Sequence, residues 1–164
     1  MKNARNISQT RRLIRHGLMV IFVGLLCGFG LGFAINGEVG FSPIPITFDY
    51  TMAAEPRAWR SAHVGAITNG MMSLLFAAVL PFLALQSRAA QKVVTGTIIV
   101  IWGNTIFYVA ALWAPNRGLS FGATDAGPGN LAGAVAYIPA VIAAVLLLWI
   151  VAYLIIKIPR SEEL

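Results

Sequence analysis

The 164-residue sequence holds only two histidines and one cysteine, which narrows the chemistry open to it. Cys27 alone excludes an internal disulfide, a CxxC redox pair and a multi-cysteine metal site. His63 stands shortly after Arg60 and shortly before Thr68 and Asn69, while Asn104, Thr105 and Tyr108 form a second polar group. One histidine is too few for zinc, which takes three or four protein ligands. It is enough for haem, where a single axial imidazole leaves the opposite face open. Arg60, three residues before His63, is spaced to neutralise a haem propionate, and equally to face solvent or lipid headgroups. A lone histidine at a helix end also has an ordinary reading, a hydrogen-bonded structural residue, which the residues by themselves leave open. His16, beside Arg15, reads as an interfacial polar residue on the opposite side from His63, so the two are not expected to clamp one metal. Met71 and Met72 read as packing.

The elements that must position these groups are membrane helices. The chain is 58% hydrophobic and 11% charged, with a mean hydropathy of +0.77. Soluble domains carry roughly 25% charged residues. Four apolar stretches reach the roughly 20 residues that a 30 Å hydrocarbon core demands: Gly17 to Ile35, Gly65 to Leu85, Val93 to Trp113 and Leu131 to Ile158. They lack period-2 alternation, so they read as helices and not barrel strands. The first stretch is too long for a signal-peptide core and no small-residue cleavage site follows it before Asn36. The fold expected is an all-α integral membrane protein, a single domain of four transmembrane helices. The net charge of +6 rests on too few charges to form a nucleic-acid face.

Basic residues give the orientation. Lys2, Arg5, Arg11, Arg12, Arg15, Arg88, Lys92, Lys157 and Arg160 fall on one side. Arg57, Arg60 and Arg117 fall on the other, offset by Glu38, Asp49, Glu55 and Asp125. The positive-inside rule then makes both termini cytoplasmic. Gln86 to Lys92 is a short link, so spans two and three are antiparallel neighbours. Pro43 and Pro45 favour an extended path in the first outer loop. Pro56 suits the first turn of a helix that prolongs span two outward, and Asn130 suits the N-cap of span four. Gly24, Gly28 and Gly32 allow close helix approach, within one chain or between chains. Trp59, Trp102, Phe107, Trp113 and Phe121 are expected mostly at membrane interfaces.

No acidic residue lies inside any span, which removes the usual proton-relay or cation-coupling carboxylate. Spans two and three run oppositely, so His63, Asn69, Asn104 and Tyr108 lie where they could meet in the outer half of the membrane. At about 100° per residue, Gly70 returns under His63 while Asn69 points about 120° away. Asn104 and Tyr108 share a face. His63 and Asn69 of one chain are therefore not expected to flank the same ligand atom, although two subunits could supply one each.

Several blocks together resemble the styrene oxide isomerase family: Arg15-His-Gly-Leu-Met19, Ala58-Trp-Arg-Ser-Ala-His63, Asn69-Gly-Met-Met72, Trp102-Gly-Asn104, Phe107-Tyr108, Pro115-Asn-Arg-Gly-Leu-Ser-Phe-Gly122 and Gly127-Pro-Gly129. The resemblance runs from about Arg15 to the end of span four. It implies a multi-pass protein of the bacterial inner membrane, assembled as a homotrimer with ferric haem b at subunit interfaces. It implies isomerisation of styrene oxide and related aryl epoxides to aryl acetaldehydes, a Meinwald rearrangement within styrene degradation, with the iron as Lewis acid. The haem-ligating histidine of the family falls on His63. The asparagine and tyrosine that hold the epoxide fall on Asn69 and Tyr108. The family pattern has Asp two residues before the tryptophan where this chain has Val100, so a role for such a carboxylate does not carry over.

Two other classes compete with an isomerase: a haem-binding electron-transfer or sensor protein, and a cofactor-free anchor or transport subunit. The first lacks a second axial histidine at matching depth. One absorption spectrum with styrene oxide addition separates the three. An isomerase gives a haem spectrum and converts the epoxide in the ferric state, an electron carrier gives a six-coordinate haem that cycles, and an anchor is colourless.

Overall fold

The computed structural model describes residues 2–157 apart from Ser42, Asp49 and Ala84, and only the backbone of residues 2–6. Asp49, Ile158 and Arg160, used above for charge and span, lie outside the described residues. Four helices dominate: α1 (Lys2–Asn36), α2 (Pro56–Val79), α3 (Ser87–Ala110) and α4 (Leu131–Lys157). All four are long and apolar enough to cross a membrane. Short 3-10 turns at Leu80–Leu83 and Ala111–Trp113 continue α2 and α3.

The first three helices start earlier than the apolar stretches do. α1 begins at Lys2, α2 at Pro56 and α3 at Ser87, against Gly17, Gly65 and Val93. Hydropathy marks the part of a helix that suits hydrocarbon, whereas Arg, Gln, Lys and Ala propagate a helix well beyond it. The link between α2 and α3 is correspondingly shorter than Gln86 to Lys92, since Gln86 already caps α3 in extended conformation. Pro56 occupies the first turn of α2, behind an extended Glu55. Asn130 caps α4 by accepting from the Gly133 N–H at 2.8 Å. Its own Nδ2 donates to the Trp113 carbonyl at 2.8 Å, tying the start of α4 to the end of α3. The first outer loop does more than run extended: β1 (Val39–Gly40) and β2 (Thr47–Phe48) pair as a short antiparallel hairpin across Pro43 and Pro45.

Each helix packs chiefly on its sequence neighbour, and α1 also reaches α3. Glycines bring the two backbones of the α1–α2 seam close together. A Cβ on Gly17 would lie 3.0 Å from the Gly70 carbonyl oxygen, one on Gly24 2.9 Å from the Ile67 backbone nitrogen, and one on Gly28 2.8 Å from the His63 ring. The small-residue spacing of α1 is thus used within the chain along Gly24 and Gly28, while Gly32 faces open space. Ser73 Oγ–H crosses the same seam to the Leu13 carbonyl at 2.9 Å. On the other side, Gly103 admits the Pro139 carbonyl and Gly96 admits Ile150, which brings α4 onto α3. Leu13, Val93, Val94, Val100 and Ile150 fill the core below, each at most 1% exposed.

The Gly103 contact is with backbone, which cannot swing aside. Gly103→Ala is expected to lower stability by about 1–3 kcal/mol through overpacking. Gly32→Ala meets nothing within 4 Å and gains up to about 1 kcal/mol from helix propensity. Thermal unfolding of the detergent-solubilised protein checks both, and equal shifts for the pair would show that the α3–α4 approach is not tight.

Candidate functional site

Four of the hydroxyls in the helices are engaged locally. Ser61, Thr68, Thr97 and Thr105 donate to the carbonyls of Arg57, Val64, Val93 and Ile101, four residues earlier in each case. Thr68 and Thr105 are therefore unavailable as donors to a ligand. What remains divides between two faces of α2.

On the α1 face lies His63, half-buried. Its Nδ1 is 2.8 Å from the Gly24 carbonyl oxygen. A carbonyl only accepts, so Nδ1 carries the proton, and Nε2 of the neutral ring keeps its lone pair. Nε2 has no hydrogen-bond partner among the described residues. The Nδ1–Cε1 side of the ring lies against Gly28, where any side chain would collide with it. Trp59, one turn outward on the same flank, packs its ring into the gap left by Gly30. Its buried Nε1–H has no partner. Arg60 is exposed and forms no ion pair among the described residues.

On the α3 face lie Asn69, Asn104 and Tyr108. Asn69 is 8% exposed; its Nδ2 donates to the Gly65 carbonyl at 2.8 Å and its Oδ1 accepts from Asn104 Nδ2 at 2.8 Å. The Tyr108 ring rests on Gly65, and a Cβ there would penetrate it. The expected meeting of four residues is thus a meeting of three. Asn69, Asn104 and Tyr108 share one seam, and His63 faces the other way, as the helical angles require. Val100, in the position where the family pattern has Asp, is fully buried among apolar residues.

His16 lies inside the bundle and not at its mouth. It is half-buried, and its Nδ1 accepts from Trp102 Nε1–H at 3.1 Å, the rings meeting edge to face. The correction follows from α1 starting at Lys2, which puts His16 well into the helix. His63 meets α1 at Gly24, eight residues on, so the two histidines are about 12 Å apart along the helix and still cannot share a metal. Among the described residues no group of three or more His, Cys, Asp or Glu could hold a metal ion. Trp59 and Trp102 are likewise internal, because glycine gaps and His16 accommodate them, whereas Trp113 and Phe121 are exposed.

A cavity of about 600 Å³ opens at the outer end of α2 and α3, lined by Arg57, Ser61, Phe107, Tyr108, Trp113 and Arg117. Tyr108 reaches it, and His63, Asn69 and Arg60 do not. Its far wall is organised by Asn116, which is fully buried. Asn116 Nδ2 donates to the Ser120 and Gly122 carbonyls at 2.9 and 2.8 Å, and its Oδ1 accepts from the Gly118 N–H at 3.1 Å. Gly133 leaves room for this amide. The tight turn holds Arg117 at φ 59°, a left-handed conformation uncommon for a side-chain-bearing residue, and turns it toward the cavity. Reasoning from sequence did not single out Asn116; the signal was its place two residues before Gly118 in a Pro- and Gly-bounded loop.

A bundle of membrane-length helices with a few polar groups left unpaired on two helix faces defines a small helical protein of the membrane type. A family model described as styrene oxide isomerase matches residues 9–159. A relative from Pseudomonas fluorescens, styrene-oxide isomerase, is 37% identical over 139 residues, covering 83% of this chain and 80% of the relative. The chain belongs to the styrene oxide isomerase family, and it is an enzyme.

Asn116→Ala removes three hydrogen bonds made by a fully buried side chain, a loss of about 2 kcal/mol locally. The loop from Pro115 to Gly129 should then exchange its amide hydrogens roughly 30-fold faster, whereas Ser120→Ala, which loses the hydroxyl's bonds to Gly122 but keeps those of Asn116, should loosen it less. Unaltered exchange in Asn116→Ala would mean the loop is held by its glycines alone.

Proposed function

We propose that this chain is a membrane-embedded isomerase that converts styrene oxide and related aryl epoxides to aryl acetaldehydes, with haem b held by His63. The observation that carries the reading is the state of the His63 ring. The Gly24 carbonyl fixes its tautomer and orientation, Gly28 gives it a seat, and Nε2 is left free. A backbone carbonyl on the far ring nitrogen is the usual support for a metal-ligating histidine and raises its basicity. The residues present therefore fit the group: one imidazole donor, a glycine cradle beside it and the buried, unpartnered Trp59 Nε1–H on the same flank. Arg60, exposed one turn outward, would meet a propionate.

When bound, ferric haem supplies a Lewis acid for the epoxide oxygen. The reaction is balanced within the substrate: the benzylic C–O bond breaks, a hydride moves from the terminal to the benzylic carbon, and a C=O forms at the terminal carbon. No electron, proton or water enters. The task of the chain is to stabilise negative charge on oxygen and to keep water from trapping a benzylic cation as diol. Tyr108 O–H and the second Asn69 N–H have no protein partner among the described residues and are donors for that oxygen. Phe107, Trp113 and Leu119 supply apolar cavity wall near Tyr108. The spans carry no Asp or Glu, so no carboxylic acid competes with this route.

His63 and Asn69 face different neighbours on α2, so a site that uses both calls for more than one chain; that the assembly is a homotrimer is what the family resemblance implies. The charge asymmetry supports insertion in the bacterial inner membrane with both termini cytoplasmic.

His63→Ala should abolish the Soret band and isomerisation together. Tyr108→Phe should keep the band and lower turnover about 100-fold, the usual effect of losing one oxyanion donor. A colourless His63→Ala protein with full epoxide turnover would overturn the reading.

A further inference from the structure

The amide of Asn69 lies between a backbone carbonyl and a second amide, and the three groups can pair in only one sense. The Gly65 carbonyl only accepts, so the Asn69 atom 2.8 Å from it is the NH₂. The atom turned to α3 is then the oxygen, and Asn104 must present its own NH₂ at 2.8 Å. Donation therefore runs one way, from Asn104 to Asn69 to Gly65, and ends on a group that cannot reverse it. Rotating the Asn69 amide by half a turn would set oxygen against the Gly65 oxygen and N–H against the Asn104 N–H. Both pairs would repel in a buried, low-dielectric setting.

The count of protons on Asn69 matters next. One N–H is engaged by Gly65, its oxygen is engaged by Asn104, and one N–H has no partner among the described residues. Tyr108, one turn beyond Asn104 on α3, lies over the same Gly65 and its hydroxyl is also without a partner. Apart from that Tyr108 hydroxyl, the α3 residues around Asn104 offer Asn69 no free donor. Val100 and Ile101 are apolar and fully buried, and the Thr97 and Thr105 hydroxyls are bound to their own helix.

We propose that Asn104 is a positioning residue: without touching substrate, it holds the Asn69 amide so that the remaining N–H, and not the oxygen, faces the epoxide oxygen beside Tyr108. This rests on the reading of Asn69 as a donor to that oxygen. The amide of Asn104 gives Asn69 its polarity, and the Gly65 carbonyl gives it its anchor.

The test uses the full-length holoenzyme purified from membranes, with styrene oxide as substrate and the haem absorption spectrum as a check on folding and loading. Asn104→Ala should lower kcat about tenfold, one ordinary hydrogen bond's worth, with KM changed less than about twofold. Asn104→Asp keeps the size and removes the donor while ionised. Its activity should recover as pH falls and the introduced carboxyl gains an O–H to give Asn69, an acid limb absent from the unsubstituted enzyme. Combined with Asn69→Ala, Asn104→Ala should add no further loss, because its effect passes through Asn69. Unchanged kcat in Asn104→Ala, no acid limb in Asn104→Asp, or a full additional drop in the Asn69→Ala background would each overturn the inference. If Asn69→Ala itself kept full kcat, the role given to Asn69 would fall and this inference with it. That result is distinct from a slow Asn69→Ala beside an unaffected Asn104→Ala.

Discussion

Everything on the inner face of α2 depends on how closely α1 can approach it. Gly17, Gly24 and Gly28 bring the α1 backbone to within contact of Gly70, Ile67 and the His63 ring. At that separation the Gly24 carbonyl, already an acceptor in its own helix, can accept a second hydrogen bond from His63 Nδ1. A carbonyl oxygen has two lone pairs, so this costs the helix nothing. With larger residues along the seam, the imidazole would stand off from α1, and its tautomer would no longer be fixed.

The second organising fact is the way polar groups are satisfied in a nearly charge-free interior. Where water is absent, an unpaired donor costs several kcal/mol, and Ser61, Thr68, Thr97 and Thr105 meet that demand with their own helix carbonyls. Against this background the groups left without partners among the described residues include His63 Nε2, one Asn69 N–H, the Tyr108 hydroxyl and Trp59 Nε1. They fall on two flanks, a ligand-donor flank toward α1 and a hydrogen-donor flank toward α3. Gly65 links the two halves of the second flank, because its carbonyl anchors Asn69 and its missing side chain seats Tyr108.

Much of this was legible beforehand. Hydropathy located four helices, Pro56 and Asn130 marked two helix starts, and 100° rotation separated His63 from Asn69. Those inferences concern one helix at a time, where covalent geometry fixes direction. The depth of His16 was misjudged because hydropathy undercounts helix that continues on basic residues, and with it the Trp102–His16 bond was missed. The glycine spacing announced close contact but not its occupant, since which side chain enters a notch depends on the register between two helices.

The sequence by itself determined what chemistry was available: one candidate axial histidine on the outer half, no buried acid, two amides and a phenol, all in helices long enough for a membrane. It did so because residue type, hydropathy and helical angle are local properties. The tertiary structure alone decided which atoms of those residues are already engaged. Register along the glycine seam assigned the His63 proton to Nδ1, and the approach of α3 gave Asn69 its direction through Asn104. A hydrogen bond needs its partner within about 3 Å, and only packing brings residues 35 to 86 positions apart to that distance.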